Sequence, residues 1–166
     1  MSLCISIRFL TGRAHLHHWH AHHSDGKVDW PPSPWRLLRA LVAVAGTGMT
    51  SLPEPLDEQI ADTLDDALPV SRLASLLAAL AAPPKIWLPR TGGGHTRQFL
   101  PKEFKSTGSA VFDTFATVSK ETPIVFEWPD VVLDPDDQRF TDLQTLLRRL
   151  TYFGRAESWC DATVQA

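Results

Sequence analysis

Histidine is the residue type in this chain best suited to chemistry, and it is concentrated in one stretch. Six of the seven histidines lie between Arg13 and Asp29: His15, His17, His18, His20, His22 and His23. Imidazole can act as a general acid or base in metal-independent RNA cleavage, for which His20 and His23 are candidates. It also binds zinc, nickel or copper, and His17 with His20 could share such an ion. Because no cysteine or carboxylate framework accompanies the run, we predict a loop beside a ligand, with no catalytic residue, metal site or cofactor assigned.

A second stretch, residues 85–120, could bind phosphate. It holds six basic residues against two acidic ones, and four phenylalanines interleave with the charges. Basic side chains neutralise phosphates and aromatic rings can stack on bases. We therefore predict RNA binding by Arg90, His95, Arg97, Lys102, Lys105 and Lys120. If the chain cuts RNA, Lys102 or Lys105 would stabilise the phosphate in the transition state.

Within this basic stretch, Gly92, Gly93 and Gly94 are consecutive. Backbone N–H groups of such a run can cradle a phosphate. The spacing lacks the second glycine and the Lys-Ser/Thr pair of a nucleotide-binding loop, so a flexible loop tip is predicted over residues 90–98.

Residues 51–69 are acidic and contain no lysine or arginine. Apolar residues recur with a period near four, which predicts a helix. Asp62 and Asp66 could bind Mg²⁺, but a solvated helix face is the simpler interpretation. This surface should repel phosphate and so orient the domain on RNA.

The remaining elements are predicted from their periodicity and caps. Leu3–Leu10 alternates as a strand does. Ser33 is the expected N-cap of a helix with Pro34 at its first position, and Gly46 is the expected stop. Later elements are a helix capped by Ser71, a strand at 85–89, strands at 115–118 and 123–128, a helix capped by Asp137 or Thr141 with Gly154 as its αL cap, and a strand at 159–164.

This order predicts an α+β protein with a ferredoxin-like (RRM-like, split βαβ) fold, carrying an inserted helical pair and an extra β-hairpin. The 166 residues suffice for one domain spanning 1–166. The net charge of −3 confines any RNA site to a local patch. Two cysteines without CxxC spacing, no signal-peptide pattern and no long apolar run predict a cytoplasmic location away from membranes.

Four segments, in order, carry a resemblance to a known family: WPPSPWRLLRALVA, PPKIWLP, FEWPD and YFGRAESW. Together with the first strand and loop, they resemble the CRISPR-associated RAMP proteins. The closest match is the N-terminal, Cas five-like half of the fused subunit of type I-G (formerly I-U) Cascade, whose second half is Cas six-like. The resemblance implies a Cas five-like domain over 1–166, either the front half of a longer fused subunit or separately encoded.

The resemblance also implies a role in antiviral defence. Family members bind the 5′ handle of CRISPR RNA and cap one end of the Cascade backbone. The implied partners are CRISPR RNA, the Cas seven-like backbone, the large subunit and the Cas six-like half. A hairpin thumb between the second and third strands reaches toward the RNA, and residues 88–115 occupy that place.

Whether this chain is an enzyme stays open at this point. The Cas six-like half is the expected ribonuclease, and nothing here corresponds to it. Some Cas five-like proteins nevertheless cleave the repeat themselves, so a metal-independent endoribonuclease that processes precursor CRISPR RNA is the alternative. A metal-buffering or unrelated ferredoxin-like protein is the third possibility.

Overall fold

The structure is a computed structural model that describes residues 2–18, 27–46, 68–100 and 109–166. These residues form an α+β domain with antiparallel sheets, which confirms the predicted class. The strands are β1 (Leu3–Phe9), β2 (Arg13–Ala14), β3 (Lys85–Trp87), β4 (Thr91–Leu100), β5 (Ser109–Val118), β6 (Ile124–Trp128) and β7 (Cys160–Gln165). The helices are α1 (Pro34–Gly46), α2 (Val70–Ala79) and α3 (Gln138–Arg149). The helix predicted within 51–69 lies almost wholly outside the described residues.

The larger sheet has the strand order β3-β6-β1-β7, and all its neighbouring strands are antiparallel. Because side chains alternate along a strand, β1 places four apolar residues on one face. They are fully or almost fully buried: Leu3, Ile5, Ile7 and Phe9. The strand predicted over residues 3–10 is therefore confirmed, although Leu10 lies beyond its end and is exposed.

The three helices contribute their apolar stripes to one core with this face of the sheet. Leu37 and Leu41 of α1 are completely buried, as are Leu76 of α2 and Leu143 of α3. An ion pair between Arg72 and the buried Asp142 also joins α2 to α3. Each described helix thus turns apolar residues spaced three or four positions apart toward the core.

Two of the predicted helix caps are confirmed. The Ser33 side-chain oxygen accepts a hydrogen bond from the Arg36 N–H at 3.3 Å at the start of α1. Asp137, rather than Thr141, caps α3 by accepting from the Arg139 N–H. The Arg139 guanidinium, bound to the same carboxylate, lowers the pKa of Asp137.

Two other predicted caps are wrong. Ser71 does not cap α2, because the helix already begins at Val70 and Pro69 occupies the cap position. Gly154 is not the cap of α3, which ends at Arg149 with Leu150 as its C-cap. Gly154 instead has φ of +106° in the next turn, where a Cβ would lie 2.7 Å from the His15 carbonyl oxygen. Close approach of two chain segments, rather than helix termination, requires this glycine.

The Ser33→Ala substitution should lower the free energy of unfolding by about 1 kcal/mol, because the Arg36 N–H loses its side-chain acceptor. Urea denaturation measures this. Ser75→Ala is the matched control, since Ser75 is exposed inside α2 and alanine favours helix. Equal stability of the Ser33→Ala variant and the wild type would show that the cap contributes nothing.

Cys160 should make stability depend on alkaline pH. Burial, with a smaller contribution from Asp161, raises the pKa of its thiol to about 12. Above about pH 8.5 an unfolded thiol ionises while the folded one stays neutral, so stability falls as pH rises. Between about pH 8 and about pH 10, the Cys160→Ala variant should therefore lose less unfolding free energy than the wild type. Cys4→Ala is the control, and identical pH slopes for all three proteins would refute the prediction.

Candidate nucleic-acid interface

The smaller sheet is built around a long hairpin. Strands β4 and β5 pair antiparallel over ten residues each, from Thr91↔Val118 to Leu100↔Ser109. At the usual rise this hairpin is about 30 Å long. Strand β2 pairs with β5 only at Ala116 and Thr117, so in the described residues the far half of the hairpin pairs only within itself.

The prediction of a flexible loop over residues 90–98 is wrong, because most of this stretch is strand β4. Gly94 lies directly opposite Phe115 in the register. A Cβ on Gly94 would collide with the Phe115 ring, and one on Gly92 would lie 2.8 Å from the Thr117 hydroxyl. These glycines therefore clear space for side chains of the partner strand, as glycine in a strand commonly does.

The predicted RNA-binding residues that the structure describes are spread along this hairpin. Arg90 directly precedes β4 and Lys120 follows β5, so both exposed cations lie at the same end. His95 is exposed in the middle of β4, opposite Thr114. The backbone of Arg97 pairs with Phe112, about 20 Å along the strand from its start. Such a spacing fits an extended strand of nucleic acid better than a compact ligand.

Four other candidates lie outside the described residues. Lys102 and Lys105 lie in the connection between β4 and β5, outside the described residues. His20 and His23 also lie outside them. In the part of the chain that the structure describes, no group of histidine, cysteine and carboxylate side chains is arranged to hold a metal ion.

Two earlier histidines of the same run take part in an ionic cluster at the hairpin. His15 Nδ1 lies 3.2 Å and His17 Nε2 3.7 Å from the carboxylate of Asp113 on β5. The Arg155 guanidinium binds Asp113 at 2.8 Å and Glu157 at 3.1 Å. We call these five residues the His15 cluster. From the sequence, His20 and His23 were the candidate bases and His17 was a possible metal partner of His20; the contacts with Asp113 and Arg155 were not predicted.

A signal for part of the cluster was present in the sequence. His15 and His17 are two residues apart, as are Asp113 and Phe115, so each pair lies on one face of an extended chain. The role of Arg155 was not visible, because it comes from the turn after α3.

The His15 cluster holds the hairpin against the rest of the domain and is not arranged as a site for phosphate. His15 is buried, its ring lies 5.0 Å from that of Phe115, and its backbone N–H donates to the Ser158 hydroxyl. Its Nδ1 faces Asp113 without hydrogen-bond geometry. The guanidinium of Arg155 is already paired with both carboxylates of the cluster, so it does not offer a free cation to a phosphate. The cluster joins the hairpin to the turn after α3.

The open face of the larger sheet offers little to RNA. An RRM stacks bases on aromatic side chains of its sheet. On this face the two central strands carry no aromatic residue: Cys4, Ser6 and Arg8 on β1, and Val125 and Glu127 on β6. The charged residues of these central strands have partners, since Arg8 binds Asp161 and Glu127 accepts from Trp87. The edge strand β3 adds the exposed Lys85 and Trp87 to this face. RNA contacts are therefore better sought on the hairpin.

Comparison with known proteins does not assign the chain to a family. No protein-family model matches it, and the search of curated proteins found no match. Among the described residues, no helix is long and apolar enough to cross a membrane. Support for a function therefore comes from the residues and their arrangement.

Proposed function

We propose that this chain is an RNA-binding subunit of a type I CRISPR interference complex that holds the 5′ handle of CRISPR RNA and caps the backbone. The position of the β4–β5 hairpin carries this proposal. The hairpin is inserted between β3 and β6, which are neighbours in the larger sheet. A thumb that contacts RNA is expected at this point of a Cas five-like protein.

The order of the larger sheet supports the ferredoxin-like part of the proposal. When the hairpin and β2 are left out, the strands occur along the chain in the order β1, β3, β6 and β7. Helices α1 and α2 follow β1, and α3 follows β6. In the sheet, β6 lies between β3 and β1, and β1 lies between β6 and β7. This interleaving is the one expected of two split βαβ units, which supports the ferredoxin-like proposal.

The charges of the hairpin support RNA as the ligand. The chain as a whole is slightly acidic, so non-specific attraction to phosphate has to be local. Arg90, Lys120 and the backbone of Arg97 lie along the hairpin, whose connection contains Lys102 and Lys105. Basic residues therefore recur along the sequence of the hairpin from Arg90 to Lys120, which supports binding to an extended RNA strand.

A contact with the neighbouring backbone subunit fits the surface near the C-terminus. Tyr152 and Trp159 face each other across an isolated β-bridge, and both are about half exposed or more. Aromatic residues are enriched in protein interfaces. We propose this pair as part of the contact with a Cas seven-like subunit.

Incubation of the pure chain with labelled repeat RNA in EDTA tests the proposal against its alternatives. Binding without cleavage is the expected result. Specific product bands in EDTA would favour the endoribonuclease. Loss of these bands in His20→Ala or His23→Ala would identify the catalytic base. His15→Ala and His17→Ala test the two histidines of the His15 cluster in the same way. Neither binding nor cleavage would favour an unrelated ferredoxin-like protein. We do not favour cleavage at the His15 cluster, because its carboxylates would repel a phosphate of the RNA.

A further inference from the structure

One face of the smaller sheet carries an arrangement that the RNA-binding residues predicted from the sequence do not include. Arg13 on β2 pairs with Thr117 on β5, which in turn pairs with Gly92 on β4, so these residues form one row across the sheet. Residues that pair directly across antiparallel strands lie on the same face. All three are exposed, whereas Ala116 on the opposite face belongs to the core. We call the face that carries this row the outer face.

On the outer face, a guanidinium lies over an aromatic ring. Phe115 is two positions before Thr117 on β5 and therefore shares its face. The Cζ atom of Arg13 lies over the Phe115 ring, 5.0 Å from the ring centroid, which is the geometry of a cation–π contact. Because Arg13 is exposed and Phe115 beneath it is buried, the pair presents the guanidinium to the solvent.

Beside this pair, strand β4 leaves the outer face bare. The Thr117 hydroxyl and the Phe115 ring occupy the places that side chains of Gly92 and Gly94 would take. Strand β4 therefore contributes no side chain to the outer face at either position. Glycine inside a strand often marks a place where a ligand approaches closely. The result is a flat surface next to Arg13 that is open to a planar group.

The charge at this end of the sheet is positive. Arg90 directly precedes β4 and Lys120 follows β5, and both are exposed. The Lys120 side chain runs beside Gly12, the residue before Arg13. In the part of the chain that the structure describes, none of these three cations forms an ion pair, and Glu121 is the exposed carboxylate next to Lys120. Three cations therefore surround the bare surface, with one carboxylate near them in the chain.

The His15 cluster limits the open part of the outer face. Asp113 is two positions before Phe115 on β5, and Arg155 binds it from the turn after α3. The row of Arg13 lies two pairs of residues beyond this contact and stays exposed. A ligand on the open part would thus meet Arg13 before it meets the carboxylate of Asp113.

We propose that the outer face binds one nucleobase of single-stranded RNA, which stacks on the Arg13 guanidinium above Phe115 while neighbouring phosphates contact Arg90 and Lys120. The proposal deepens the proposed function and rests on it for the identity of the ligand. Unstacked bases of RNA commonly lie on guanidinium planes. Single-strand sites combine such stacking with cations that follow the backbone. The bare surface of β4 leaves room for the base.

Removing the bases of the RNA one at a time tests this proposal. The probe is labelled handle RNA with a single abasic nucleotide at successive positions, and fluorescence anisotropy measures its affinity. Loss of one base should weaken binding to the wild type about fivefold or more. In Arg13→Lys the same loss should have little further effect, because lysine keeps the charge but has no plane on which a base stacks. Circular dichroism checks that the variant is folded.

Arg90→Lys and Trp35→Ala are the matched controls. Arg90→Lys should keep the wild-type pattern of abasic losses, because a phosphate contact needs the charge rather than the plane. Trp35 is an exposed aromatic residue that lines a cavity of about 570 Å³ between α1 and the segment that follows α3. The outer face contributes no residue to the lining of that cavity, so Trp35→Ala should also keep the pattern.

An unrelated single-stranded RNA of equal length separates this proposal from the proposed function. Equal affinity for every abasic probe, or losses that Arg13→Lys leaves unchanged, would overturn the stacking site alone. If the unrelated RNA binds as tightly as the handle and shows the same dependence on Arg13, the stacking site stands and the handle-binding function is overturned. Absence of binding to either RNA would overturn both.

Discussion

Reversing Arg97, Lys102 and Lys105 to glutamate together should abolish RNA binding while the circular dichroism spectrum stays native. These residues belong to β4 and to its connection with β5, the part of the chain for which we propose contact with the RNA backbone. Each phosphate contact contributes about 0.7 to the slope of log affinity against log salt for a single strand. Partial variants should therefore flatten the salt dependence stepwise. Fluorescence anisotropy with a labelled handle RNA measures both quantities.

The control for this variant reverses three exposed cations elsewhere: Arg8, Lys85 and Arg148. It changes the net charge of the chain by the same amount. If loss of binding reflected overall charge, both triple variants would bind equally poorly. Unchanged affinity in the hairpin variant would refute the proposed RNA track.

Leu41→Ala should lower the free energy of unfolding by about 2–5 kcal/mol, because it removes a fully buried side chain and leaves a cavity. Leu41 lies in the middle of α1, on the stripe that packs into the common core. Denaturant titration measures the change. A smaller loss is expected for Leu38→Ala, since Leu38 is only partly buried.

Val42→Ala provides the matched control at the next position of the same helix. Val42 is 45% exposed, so its truncation should change stability by about 0.5 kcal/mol or less. Comparable losses for Leu41→Ala and Val42→Ala would show that α1 does not present the described face to the core.

Elements defined by local chemistry were predictable from the sequence. The alternation of β1 and the Ser33 cap of α1 depend on neighbours within a few residues, and both are as predicted. Asp137 was one of two capping candidates, and its position immediately before α3 decides between them. In each case the sequence near the element contains the interaction that forms it.

Features that depend on a distant partner were not predictable. Gly94 signals a loop by its type, yet it lies in a strand because the Phe115 ring occupies the place of its side chain. Gly154 resembled a helix cap, yet it contacts the chain near His15. The pattern of one segment does not reveal which other segment will lie against it.

The candidate sites show the same difference between features set by one segment and features that depend on distant segments. The basic composition of residues 85–120 was visible in the sequence, and the hairpin that carries much of it was expected from the resemblance. The cavity between α1 and the segment after α3 was not foreseen, because its two walls are more than 100 positions apart in the sequence.

The most direct test of the central claim is a titration of the wild-type chain with single-stranded RNA of the repeat handle, followed by anisotropy at several salt concentrations. The proposed function predicts saturable binding that weakens as salt rises, with intact RNA recovered afterwards. Absence of saturable binding at low salt would contradict it.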